Sequence, residues 1–235
     1  MVRQLIVNAD DFGHSAEINK GIIHAHKKGI VTSTSLMVDA PKAKEAVQLA
    51  KENPKLGLGF HFVLTDEDSR VVRSIKQALS VILIKMIERE LQRQFEKFKE
   101  LTGKLPDHLN SHFHYHKWPK ISPLFKKLSR QYKIPMRSSG KISFIHRFFG
   151  MNELTGRPEV ERISTESLLA ILKDLPDGIT ELMCHPGLVT PDLKSSYGFQ
   201  REIELKTLTD KKVKIFISQS KIQLINFSEI KITNP

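Results

Sequence analysis

Short apolar runs alternate with helical patterns along this chain, an order that is typical of parallel βα units. The alternation predicts an α/β fold, and we expect a distorted (β/α) barrel with about seven parallel strands. An open doubly wound sheet is the alternative architecture. The seven strand-like runs begin near Leu5, Ser33, Leu56, Asp107, Ile134, Ile179 and Val213.

Helical spacing of apolar residues predicts the connections between these runs. Ser15 is placed as the N-cap of a first helix that ends at Gly29. Pro41 opens a second helix, which Asn53-Pro54 closes. The longest helix is predicted from about Ser74 to Leu101. Further helices are expected at Pro123 to Tyr132, Thr165 to Leu175 and Gln200 to Thr209.

Residues 1–235 are expected to form one domain, because one core of this size can bury most of its apolar surface. The segment 138–163 shows no clear period and is expected to be a long loop, which in a compact domain is often functional. No apolar run approaches the roughly 20 residues that cross a bilayer, and the start does not resemble a signal peptide. We therefore expect a soluble, cytoplasmic protein without a membrane partner.

The formal net charge of +11 is compatible with nucleic acid, an anionic surface or an acidic substrate. The lysines, however, are scattered over the predicted helices without aromatic interleaving or a dense basic tail. We therefore expect a solvated basic surface and no nucleic-acid partner. The single cysteine, Cys184, excludes an intrachain disulfide and is expected to be a buried apolar residue.

Polar residues that end the apolar runs indicate the candidate site, because active sites of parallel barrels lie at the carboxyl ends of the strands. Asp10 and Asp11 can converge where their strand turns through Phe12-Gly13, although capping of the next helix is the alternative. Histidines occupy every second position from 112 to 116, and a strand would put these imidazoles on one face. The chemistry-bearing endings are Asp10-Asp11, His61, Asn110 to His116, and His185.

Carboxylate and imidazole ligands together suit zinc, manganese, iron, cobalt or, less typically, magnesium. With Asp11 and two histidines as ligands, positions remain open for water and for a substrate oxygen. That arrangement favours hydrolysis, because the ion polarises a carbonyl and lowers the pKa of bound water. Asp10, beside a ligand but not bound itself, would then take the proton from the water.

These motifs, in this order, resemble the YdjC-like carbohydrate deacetylases, which include the chitooligosaccharide deacetylases. The resemblance covers nearly the whole chain and implies a distorted barrel of the glycoside hydrolase/deacetylase type. It also implies removal of an acetyl group from an N-acetylated carbohydrate, a chitooligosaccharide or related amino sugar, with a divalent metal. That metal is usually magnesium, with zinc, manganese and cobalt as alternatives. The strongest matches lie at residues 5–13, 21–35, 61–65, 108–116 and 183–186.

Carried over by position, the resemblance implies that Asp11, His61 and His112 hold the metal. Asp10 matches the general base, and His185 matches a histidine suited to protonating the leaving amine. Three further residues are expected at the substrate pocket: Arg137, His114 and His116.

Two departures from the family pattern stand out. Asn110 replaces a common aspartate, and if this side chain orients His112, the change weakens metal binding or alters metal preference. The stretch from Asp66 to Val72 is shorter than in larger members, which affects the loop expected to cover the substrate.

A metal-dependent phosphoesterase and a non-catalytic sugar- or metal-binding protein remain open as alternatives. A symmetric homodimer is the default assembly.

Overall fold

The computed structural model describes residues 2–64, 81–140, 142–152, 154–190 and 195–230. Its described strands run parallel in the order β4-β3-β2-β1-β6-β5, with the short β7 beside the start of β1. The path ends at β4 and β5, so these strands form a half-barrel, in agreement with the expected distorted barrel. The strands are β1 (Arg3–Phe12), β2 (Ser33–Leu36), β3 (Gly57–Phe62), β4 (Leu109–Ser111), β5 (Ile142–Ile145), β6 (Gly178–Cys184) and β7 (Gln223–Leu224).

Helices connect the strands on the outside of the half-barrel. Three short 3-10 segments, His112–Lys117, Val160–Ile163 and Phe227–Glu229, complete the described regular structure. The helices are α1 (Ala16–Lys28), α2 (Ala43–Lys51), α3 (Val81–Thr102), α4 (Ser122–Tyr132), α5 (Thr165–Lys173), α6 (Phe199–Thr209) and α7 (Lys211–Gln219).

Two of the seven predicted strand starts were wrong. The run at Ile134 contributes only an isolated parallel bridge between Met136 and Leu109. The run at Val213 lies in α7, because Val213 and Ile217 are four residues apart and are buried on one helical face. The other five runs form β1, β2, β3, β4 and β6, each within about three residues of the predicted start.

The expectation of a long loop at 138–163 was also wrong in part. Residues 142–145 form β5, which pairs in parallel with β6 from Ile142 opposite Ile179 to Ile145 opposite Leu182. Val160–Ile163 forms a 3-10 turn. The side chains of β5 are only half-buried or exposed, so the run lacks the strong apolar pattern of a central strand.

The helix predictions agree with the structure more closely. Ser15 accepts a hydrogen bond from the Ile18 N–H at 3.1 Å, and Gly29 caps the C-terminus of α1. Helix α2 begins at Ala43, two residues after Pro41. The predicted residues 74–80 of the longest helix lie outside the described residues, and its remainder is α3. Helices α4, α5 and α6 end within two residues of their predictions.

The two faces of β1 have different surroundings. Leu5, Val7 and Ala9 join the large apolar core between the sheet and the helices, and Cys184 lies in the same core as expected. Ile6 points into the half-barrel, where it packs in a small cluster with Phe227. None of the helices in the described part of the chain is both long and apolar enough to cross a membrane.

The interior of the half-barrel becomes polar toward the carboxyl ends of the strands. Ile6, Asn8 and Asp10 follow each other on the inner face of β1, because alternate strand residues share a face. Asn8 donates to Asp10 Oδ1 at 2.8 Å and to Ser35 Oγ at 3.2 Å. The other buried polar residues that neighbouring strands contribute here are His61, Asn110 and Glu181.

Candidate active site

A bulge at the end of β1 brings Asp10 and Asp11 to the same site. The register between β1 and β2 shifts between Ala9 and Phe12, and Asp11 has a left-handed φ of 68°. In a regular strand the two side chains would point to opposite faces, but an extra residue redirects one of them. Gly13, with φ 99°, completes the turn. The two carboxylates therefore converge at the end of β1, as expected.

Asp11, His61 and His112 come together in the arrangement of a metal site. Asp11 Oδ1 lies 3.5 Å from His61 Nε2 and 3.5 Å from His112 Nδ1. One ligand atom from each residue lies within 4.8 Å of the others. Asp11 Oδ1 and His61 Nε2 are buried and have no hydrogen-bond partner among the described residues. Buried polar atoms rarely stay unpaired, so this donor set fits a divalent ion.

Asn110 fixes the orientation of His61. Asn110 Oδ1 accepts a hydrogen bond from His61 Nδ1 at 2.7 Å, which leaves the lone pair of Nε2 toward Asp11. The condition that Asn110 orients His112 is therefore not met, because Asn110 contacts the imidazole of His61. The Asn110 amide also donates to Ser35 Oγ at 3.0 Å and to Asp10 Oδ1 at 3.3 Å. An asparagine thus serves as acceptor for one site residue and as donor to another.

Asp10 is held by a buried arginine. Arg137 donates from Nη1 to Asp10 Oδ2 and from Nη2 to Asp10 Oδ1, both at 2.7 Å, and from Nε to Glu181 at 2.7 Å. Burial alone would raise the pKa of Asp10, but the charge and hydrogen bonds of Arg137 bring it well below its usual range. Asp10 is therefore ionised at neutral pH.

Arg137 lies between the interior of the half-barrel and a cavity. Its guanidinium is fully buried against two carboxylates, although the residue also borders a cavity of about 460 Å³. His116 borders the same cavity, whose rim carries Lys117 and Lys126. Arg137 is thus first a partner of Asp10, and its contact with a substrate remains a prediction.

The histidine run is a turn and not a strand. Residues 112–117 form a 3-10 segment in which Phe113 and His114 have φ values of 49° and 53°. Ser111 Oγ accepts the His116 N–H at 3.0 Å and lies 2.7 Å from His116 Nδ1, and both contacts close the turn. The prediction that the imidazoles share one face was therefore wrong.

The three imidazoles of this turn have separate surroundings. His112 reaches Asp11, whereas His114 is largely buried near Arg137 and Asp10. Burial, with a contribution from Arg137, lowers the pKa of His114 to about 3. Burial also holds the pKa of His116 well below its usual range. Both side chains are therefore neutral at pH 7 and available as hydrogen-bonding groups.

His185 follows β6 and is braced by a buried carboxyl group. The backbone N–H of His185 and the hydroxyl of Tyr197 both hydrogen-bond to the Glu204 carboxyl group. The Tyr197 hydroxyl also accepts the backbone N–H of Gly150 at 2.7 Å. Burial lowers the pKa of His185 to about 4, although Asp11 and Asp10 oppose this shift. Burial raises the pKa of Glu204 to about 8, so this carboxyl group is mostly protonated at pH 7.

The sequence reasoning missed the arginine that pairs with Asp11. Arg201 donates from Nη2 to Asp11 Oδ2 at 2.6 Å and is almost fully buried. Burial alone would raise the pKa of Asp11, but Arg201 contributes most to holding it well below the usual range. Arg201 and Glu204 share the face of α6 that carries the apolar Leu205 and Leu208. Two charged residues at helical spacing from these leucines were the available signal.

Comparisons with known proteins agree on one family. The model of the family described as YdjC-like protein matches residues 4–219. A carbohydrate deacetylase from Brevibacillus brevis is 36% identical, covering 97% of this chain and 99% of that protein. A chitooligosaccharide deacetylase from Proteus mirabilis is 34% identical, covering 98% and 100%.

Solved structures agree on the fold. The crystal structure of a putative cellobiose-phosphate cleavage protein from Enterococcus faecalis has a TM-score of 0.82 at 27% identity and covers 97% of this chain and 98% of that one. A family 4 carbohydrate esterase from Streptomyces lividans has a TM-score of 0.57 at 11% identity, covering 95% and 91%. The second likeness supports the fold alone.

Proposed function

This chain belongs to the YdjC-like family, and from that membership we propose that it is a metal-dependent carbohydrate deacetylase. Its substrate would be an N-acetylated carbohydrate, a chitooligosaccharide or a related amino sugar. The observation that carries the proposal is the meeting of Asp11, His61 and His112, with two buried ligand atoms that lack a partner in the described residues. These residues would hold a divalent ion.

The ion would supply two things when bound: polarisation of the acetamide carbonyl and a lower pKa for a bound water. Family resemblance implies magnesium, whereas two imidazole ligands suit zinc, manganese or cobalt. Arg201 and Asn110 contribute by fixing the ligands. Arg201 holds the second oxygen of Asp11, and Asn110 selects the tautomer of His61 that directs Nε2 to the site.

We propose Asp10 as the general base and His185 as the proton donor to the leaving amine. Asp10 is ionised and can accept a proton from the attacking water. His185 is neutral before the reaction, so it can donate only after it receives that proton. The two groups are close enough to shift each other's pKa. The protons of the reaction are accounted for when one proton leaves the water, passes through Asp10 and His185, and reaches the amine nitrogen.

Product release from two substrate classes tests the function. Purified protein is incubated with N-acetylated glucosamine oligomers and, separately, with generic phosphate monoesters, each with added divalent ions. We expect acetate from the oligomers and no phosphate from the esters. Phosphate release without acetate would make the protein a phosphoesterase. Oligomer binding without either product would make it a non-catalytic sugar-binding protein.

The assembly and location are proposed from the sequence alone. We propose a single-domain protein that acts as a cytoplasmic homodimer on a small carbohydrate. Light scattering of the purified protein and fractionation of the source cells would check the subunit number and the location. A monomer or a secreted protein would contradict these two points without affecting the proposed reaction.

A further inference from the structure

The turn that follows β4 keeps two residues in an unfavourable backbone conformation. Phe113 has φ 49° and ψ 21°, and His114 has φ 53° and ψ 34°. Left-handed backbone is costly for residues with a Cβ and is most unusual for a bulky aromatic. The contacts of Ser111 with His116 and the complete burial of Tyr115 maintain the turn. Such conformations persist where surrounding contacts fix them, and they cluster at ligand sites.

The strained turn holds an aromatic ring at the open side of the proposed ion site. The ring centroids of Phe113 and His112 lie 4.1 Å apart at an angle of 59°. The side chain of His112 is 34% exposed, whereas those of His61 and Asp11 are 1% and 3% exposed. His112 is thus the most exposed of the three proposed ligands, and the Phe113 ring lies against it. Phe113 is 50% exposed, so the fold gains little from burying it.

We propose that Phe113 is a specificity-determining residue whose ring packs against the apolar face of a pyranose ring of the substrate. The inference rests on the proposed deacetylase function and names the feature of the substrate that the site would recognise. A sugar with equatorial hydroxyl groups presents axial C–H groups on its ring face. The electron-rich face of an aromatic side chain is complementary to such C–H groups. Glucosamine-type sugars have this shape.

Other aromatic rings near the site, in the described part of the chain, pack against different groups. The ring of Phe144 lies 5.1 Å from the Arg137 guanidinium. Phe149 lies 5.5 Å from His185, but its ring is stacked on Tyr197 at 4.6 Å and 1°. Tyr197 is in turn tied to Glu204, so this stack belongs to the brace of His185. Phe113 is thus the aromatic that the strained turn brings to the His112 side.

Four variants test the inference: Phe113→Ala, Phe113→Trp, Phe113→Gly and the control Ile215→Ala, an equally exposed apolar residue on α7. The KM for N-acetylated glucosamine oligomers is compared with turnover of an aryl acetate that has no sugar ring. We expect Phe113→Ala to raise the oligomer KM about tenfold while aryl acetate turnover and metal content stay unchanged. Phe113→Trp should restore the oligomer KM. Ile215→Ala should match the wild type.

The glycine variant separates binding from folding. Glycine adopts the conformation at 113 without strain, so Phe113→Gly should keep or raise the thermal midpoint while it weakens oligomer binding as much as alanine does. An unchanged oligomer KM in Phe113→Ala would overturn the inference, and so would equal losses on both substrates.

Calorimetric binding of deacetylated glucosamine oligomers separates this inference from the proposed function. If the wild type binds these oligomers but releases no acetate, the deacetylase proposal fails. The role of Phe113 is then judged by whether Phe113→Ala weakens binding. If acetate is released and Phe113→Ala has no effect, only the role of Phe113 fails. A wild type that binds no glucosamine oligomer would overturn both.

Discussion

Replacing Glu204 by glutamine tests the state of the carboxyl group that braces His185. One oxygen of Glu204 accepts the backbone N–H of His185, and the other hydrogen-bonds to the Tyr197 hydroxyl. The side chain is fully buried, and burial raises its pKa to about 8. Glutamine has the shape of the protonated acid and can make equivalent hydrogen bonds, but it does not titrate. The variant therefore keeps the contacts of residue 204 and removes its contribution to the pH dependence of the unfolding free energy.

The size of the effect follows from the shift in pKa. The ordinary value is 4.5, so between pH 4.5 and about 8 the folded protein keeps a proton that the unfolded chain has lost. The contribution of this raised pKa to the free energy of unfolding is complete below pH 4.5. It decreases as the pH rises and is lost above about pH 8. The loss is roughly 1.4 kcal/mol per pH unit. Across the whole interval the wild type loses roughly 5 kcal/mol that Glu204→Gln keeps.

Urea unfolding at pH 5, 6.5 and 8 measures this difference. Relative to Glu204→Gln, the wild type should lose roughly 4 kcal/mol in unfolding free energy between pH 5 and 8, while titrations common to both proteins cancel. Glu202→Gln is the matched control, because Glu202 is exposed on the same helix. It gives the effect of the same substitution at an exposed position of the helix, against which the Glu204→Gln effect is compared. Parallel pH curves for the wild type and Glu204→Gln would refute the reasoning.

Three further substitutions probe the site directly. Asp10→Asn should keep the bound metal and lose nearly all acetate release; retained turnover would exclude Asp10 as the base. His185→Ala should lower kcat more than metal content, and loss of the metal instead would make His185 a ligand. Asn110→Asp adds a negative charge beside His61 and should tighten metal binding by about tenfold in calorimetric titrations. An unchanged affinity there would contradict the view that the charge of the residue at position 110 tunes His61 as a ligand.

The fold was predictable where local signals and burial agree. Helix α1 has a serine N-cap and a glycine at its end, and both features are local. The central strand β1 contains the apolar run Leu5-Ile6-Val7 and is buried on both faces from Leu5 to Phe12. The run at Val213 is short and apolar, and such a run fits a helix or a strand equally well until its packing is known. Its placement in α7 depends on contacts that the pattern does not contain.

The site was predictable as a set of residues but not as a set of contacts. Polar residues at the ends of parallel strands meet at one edge, and this made the carboxylates and histidines candidates. The family resemblance then implied Asp11, His61 and His112 as the ligand set. The turn through Phe113 depends on the Ser111–His116 contacts, which override the alternation of a strand. Arg201 comes from a helix 190 positions after Asp11, and no local pattern links the two residues.

Acetate release by metal-stripped protein tests the central claim most directly. The protein is treated with a chelator and then titrated with magnesium, manganese, cobalt or zinc in the presence of an N-acetylated glucosamine dimer. The account predicts that stripped protein releases no acetate and that one ion per chain restores release. Asp11→Asn should fail to regain activity under the same titration. Full acetate release by the stripped protein, or equal recovery by Asp11→Asn, would contradict the account.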